Sequence, residues 1–150
     1  MPESEDNLIY AAGGEIDAGE FSLVITSDDL DPAEVTGLLG IQPTDSHRRG
    51  DLNQAGRPFN FGRWRFATPR LDFRQDDSWC QKNFDTFVRS LPDSPDAWSR
   101  IARDYDAQVF IHVWMKTWNR EFDLSAFAVG ELARRHLSLH IDTYYSDDDD

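Results

Sequence analysis

Seven arginines fall between residues 47 and 74, against two acids, Asp51 and Asp72. Guanidinium groups are planar, permanently charged and able to grip two oxygens at once, so such a cluster suits phosphate or carboxylate. Its densest part is Arg48-Arg49-Gly50-Asp51, followed by Arg57. The competing reading is a solvated loop held by its own Arg–Asp pairs, since most surface charges contribute little. The Arg-Gly-Asp triplet alone supports no adhesion role. Arg63 and Arg65 alternate with Trp64 and Phe66, and Phe110, His112 and Trp114 share one side of a later apolar run. If those sides coincide, a sheet carries aromatics beside arginines, the combination that holds single-stranded RNA. Burial of this face beneath helices from residues 76–105 is the favoured expectation, because large exposed aromatic patches are rare.

Other chemistry is poorly served. His136 and His140 are four apart but straddle a helix-to-strand boundary, and His112 and His140 point to the sheet side away from the core of their strands. With no second cysteine and no compact His/Asp cluster, no metal is expected. Cys80 lies on the apolar stripe of a helix, where a thiol is inert core. No nucleophile elbow or glycine-rich phosphate loop is present. Neither an enzyme nor a cofactor is expected.

These residues are positioned by a run of elements with clear punctuation. Phe21, Leu23 and Ile25 alternate with Ser22, Val24 and Thr26, the pattern of a half-buried strand. Asp31, Pro32 and Glu34 then open a helix over 32–39, and Gly40 stops it. A long irregular segment follows to Gly62, and a loop of that length is a candidate working surface. Arg63 to Ala67 forms a second strand with Trp64 and Phe66 toward the core. Residues 76–91 read as a helix with Cys80, Phe84, Phe87, Val88 and Leu91 on one stripe, widened by Trp79. Ser94 or Asp96 caps another, carrying Trp98, Ile101, Ala102 and Tyr105. Gln108 to Lys116 is a strand apolar on both sides, which implies cover on both sides. Asp123 or Ser125 caps a helix to about His136, in which Gly130 implies a close contact. Residues 137–144 alternate as a last strand. The order predicts an α+β domain: a four-stranded antiparallel, ferredoxin-like sheet with a two-helix insertion between the second and third strands.

The net charge of −13 is unevenly placed. Residues 1–20 hold six acids and 142–150 five, with no Lys or Arg in either, which leaves −2 for 21–141. The sequence therefore predicts an acidic flexible tail over 1–20, one domain over 21–145 and a second acidic tail over 146–150. Leu8-Ile9-Tyr10 is an apolar island that could dock on the domain. One cysteine permits no internal disulfide, and no apolar run reaches the length of a membrane span. No basic and apolar leader is visible, so a cytoplasmic location is expected.

Several short motifs carry a family resemblance: Leu39-Gly40-Ile41-Gln42-Pro43, Gly50-Asp51, Trp64, and Ile141-Asp142-Thr143-Tyr144. Together they resemble a bacterial family known as a domain of unknown function, over about residues 21–144. The resemblance implies a compact α+β fold and brings no catalytic residues with it.

Two functions stand after this reading. The first is a non-catalytic cytoplasmic protein-interaction module with an unidentified protein partner; neutralising a toxin, as immunity proteins do, is one instance. The alternative is binding of an anionic ligand or single-stranded nucleic acid through Arg48, Arg49, Asp51, Arg57, Arg63, Arg65 and the sheet face. The clustered acids of the two ends repel a phosphate backbone, so nucleic acid is not the expected partner.

Overall fold

The computed structural model describes residues 14–74 and 80–145. The expected tail residues 1–13 and 146–150, the Leu8–Tyr10 island, and the helix start with Trp79 lie outside the described residues.

Strand β1 (Ala18–Ser27) begins three residues before Phe21, and Ile16 and Asp17 ahead of it are buried. Helix α1 (Pro32–Leu39) opens as its residues dictate: the Asp31 carboxylate accepts from the Ala33 N–H at 3.0 Å, and Gly40 ends the helix at φ 70°. The chain continues through β2 (Asp45–His47), β3 (Gly62–Ala67), β4 (Leu71–Asp72), α2 (Cys80–Arg89), α3 (Pro95–Asp104), β5 (Asp106–Met115), α4 (Ala126–Arg134) and β6 (Ser138–Tyr145). Ser94 caps α3 and Ser125 caps α4.

The ferredoxin-like expectation is overturned. The sheet has six strands in the order β2-β3-β1-β5-β6, with β4 on β1, and it is mixed. The β5–β6 pair is parallel; the others are antiparallel. In the expected arrangement the last strand would return beside the first. Here β3 and β5 already occupy both sides of β1, so β6 adds outside β5. The cause is local. Only Arg135, His136 and Leu137 separate α4 from β6. The helix thus serves as the crossover of an adjacent parallel pair, with His136 at φ 58° turning the chain.

The helices also settle the fate of the two sheet faces. Phe21, Leu23, Ile25, Trp64, Val109, Ile111 and Val113 are fully buried on one side, in one cluster with buried side chains from all four helices. Phe21 meets Phe84 and Phe87 of α2, and Phe87 stacks on Phe66. The pair α2 and α3 therefore covers the same face as α1 and α4. Burial of the Phe110 side by these helices, the favoured expectation, does not occur. The close contact expected at Gly130 is also absent, since a Cβ there would meet nothing within 4 Å.

Candidate functional site: the open sheet face

In register, Val24 lies between Arg65 and Gln108, and Ser22 between Ala67 and Phe110. Directly paired residues point the same way, so Arg63 and Arg65 do share a face with Phe110, His112 and Trp114. β6 adds His140, Asp142 and Tyr144, set opposite Phe110, His112 and Trp114. Rings run continuously across this corner. Phe110 lies 4.7 Å from His140 and 5.8 Å from His112, and Tyr144 lies 6.2 Å from His112 and 5.4 Å from Trp114. The Arg70 guanidinium sits over the Trp114 ring at 4.2 Å. Asp142 holds both imidazoles: His112 Nδ1 is 3.5 Å and His140 Nε2 3.3 Å from its carboxylate. Phe110, His112 and Trp114 are half-buried, while His140 and Tyr144 are exposed.

The arginines of this face are engaged. Asp45 on β2 takes Arg63 Nη2 at 2.8 Å and Arg65 Nη1 at 2.9 Å, and Arg65 reaches Glu20 with its other nitrogen. Burial alone would raise the Asp45 carboxyl; hydrogen bonds from Arg65 and Arg63 outweigh it and hold the group below the usual carboxylate range. Ser22 is 1% exposed at the centre of the face, and its hydroxyl has no hydrogen-bond partner among the described residues.

The other predicted residues lie elsewhere. The segment between α1 and β3 is more ordered than its composition suggested. β2 pairs with β3, Leu52 bridges Pro58, and His47 stacks on Phe59 at 3.5 Å. Arg48 bonds the helix cap Asp31 at 2.8 Å, and its backbone N–H donates to Asp51 at 2.8 Å. Arg49 reaches Asp29 at 3.2 Å. A shallow pocket of about 190 Å³ lies between Arg48, Arg49 and Asp28–Leu30. Arg57 is exposed at the loop tip, where its backbone closes on Asn53. The six predicted residues thus divide: Arg63 and Arg65 belong to the open face, Arg48, Arg49 and Asp51 to the loop beside α1, and Arg57 to its tip.

Sequence reasoning passed over Glu20, Asp45, Arg70 and Tyr144 as members of the face. The period-two pattern of β6 contained Tyr144; Asp45 and Arg70 lie on or beside strands too short to show a period. Cys80 is buried, and desolvation, then the Glu15 charge, pushes its thiol up to about 12. Among the described residues no group of three or more His, Cys, Asp or Glu is placed to hold a metal ion. No helix among them is long and apolar enough to cross a membrane.

Fold and face together define a two-layer α+β domain in which the described helices cover one side of the sheet. The chain belongs to the family described as Domain of unknown function (DUF4279), whose model matches residues 17–146. No curated protein and no solved structure matches the chain.

Proposed function

We propose that this domain is a non-catalytic, cytoplasmic protein-interaction module whose docking surface is the open sheet face. The observation that carries the reading is the ring ladder Phe110, His112, Trp114, Tyr144 standing beside Arg63 and Arg65, which carboxylates already hold, with Arg70 stacked on Trp114. Aromatic and arginine side chains dominate the energetics of protein interfaces, where a few rigid anchors supply most of the affinity. A nucleic-acid platform needs the same rings but also cations left over for phosphate. Here Asp45 and Glu20 take up Arg63 and Arg65, Asp142 adds a further negative charge, and Arg70 alone of the face's three arginines stands without a carboxylate among the described residues. Neutralisation of a toxin is the narrower form of this proposal.

The test compares wild type with Trp114→Ala and Tyr144→Ala in proximity labelling within the source cell, and with a labelled oligonucleotide by fluorescence anisotropy. The reading expects a discrete set of proteins labelled by wild type and lost in both variants, with weak oligonucleotide binding indifferent to the substitutions. Tight oligonucleotide binding that both variants abolish would promote the nucleic-acid reading in its place.

A further inference from the structure

β6 ends the sheet, and among the described residues its strand neighbour is β5 alone. Edge strands expose a row of backbone N–H and C=O groups, and proteins usually blunt them with Pro, Lys, a bulge or brevity. The opposite edge obeys this rule, since β2 is three residues long. β6 does not. It runs eight residues, Ser138–Tyr145, with no Pro, Lys or Arg and an unbroken register against β5. Six of its eight residues are exposed, Ile141 among them at 44% although it lies on the core side of the sheet.

We propose that this edge pairs antiparallel with β6 of a second copy, with Ile141 against Ile141 on the two-fold axis. A two-fold normal to the sheet keeps each face on its own side. Directly opposed residues must therefore come from the same face. Centred on Ile141, this rule sets His140 of each copy opposite Asp142 of the other, twice. It also sets Leu139 opposite Thr143 and Ser138 opposite Tyr144. Hydrogen-bonding polar pairs and apolar pairs across strands stabilise such a ladder, and like charges directly opposed destabilise it. Centring on Asp142 would oppose two carboxylates, and centring on His140 two imidazoles. Centring farther toward either end would shorten the ladder. Two registers use seven of the eight residues, those centred on Ile141 and on Asp142, and of these only the first avoids opposing carboxylates. The net charge of −13 opposes association at long range, and physiological salt screens that repulsion beyond about 8 Å. The resulting sheet joins the two open faces, with the ring ladders of both copies flanking the junction. This inference does not rest on the docking role proposed for that face.

Sedimentation equilibrium of the full chain over a wide micromolar range tests it. The expected result is a reversible monomer–dimer equilibrium that Ile141→Lys converts to monomer while the thermal transition survives. His140→Asp and Asp142→His should each weaken the dimer, and the double variant should restore it by reversing the pair. A chain that stays monomeric throughout, a dimer indifferent to Ile141→Lys, or a double variant no better than the singles would overturn the proposal.

Discussion

Trp64 donates its indole N–H to Oγ1 of Thr36 across 3.0 Å, with the ring fully buried beneath α1. A strand and the first helix are joined there by both packing and a hydrogen bond. Emptying such a site costs about 3–5 kcal/mol, the usual penalty for a buried aromatic. Trp64→Ala should lower the unfolding free energy by that amount, read as a lower denaturant midpoint at unchanged slope. Thr36→Val, which keeps the shape and strands the indole N–H, should cost about 1–3 kcal/mol. An unchanged midpoint in Trp64→Ala would place the ring outside the core.

Much of this core was legible before any fold was drawn. Trp64, Phe84, Val88, Trp98 and Ile101 all sit where strand or helix periodicity put them. The cap at Asp31 was equally plain, because a short polar side chain before an apolar repeat has one local use, whereas the next helix left Ser94 and Asp96 as alternatives, of which Ser94 is the cap. Pairing was not legible. Alternation tells which residues of β5 face together, but nothing in it says which strand lies alongside. The ferredoxin-like order failed on that point. The open face failed for a related reason: β5 looks apolar on both sides, yet Phe110, His112 and Trp114 pack on one another and on their β6 neighbours, with no covering helix among the described residues.

Two glycines separate the roles that composition alone confuses. Gly130 sits inside α4 with open space where a Cβ would project. Replacing it with Ala should stabilise the protein by about 0.5–1 kcal/mol, the helix-interior cost of glycine. Gly62 opens β3 against the turn after β1. There a Cβ would stand 2.8 Å from the Leu30 Cβ and 3.0 Å from its carbonyl oxygen. Gly62→Ala should destabilise by about 1–3 kcal/mol through overpacking against backbone. Thermal melts of the two variants should move in opposite directions, and a shared direction would contradict the geometry.

Cys80 offers a chemical readout of the same packing. The thiolate is the reactive form, and burial pushes this thiol up to about 12. Alkylation at mildly alkaline pH should be very slow in the native protein and should accelerate with denaturant in step with global unfolding. Rapid native-state labelling would mean that α2 opens locally, well below the global stability.

His47 supplies a pH signature. Its ring stacks on Phe59 at 3.5 Å, and its Nδ1 is buried without a hydrogen-bond partner among the described residues. Desolvation first, and then the charge of Arg63, hold its pKa below the ordinary 6.5; the Arg48 backbone and the carboxylates of Asp51 and Asp45 offset this only in part. The unfolded chain therefore binds the proton more readily. Stability is complete above the unfolded value of 6.5, falls as pH drops below it, and levels off beneath the folded value. The ring is partly solvated, so the loss should stay below about 1 kcal/mol. His47→Phe keeps a flat ring against Phe59 and removes the titration. Chemical denaturation of both proteins between neutral pH and about pH 5 should show the wild type losing more stability than the variant. Parallel pH profiles would show that His47 is ordinary in the fold and that the loop does not hold it neutral.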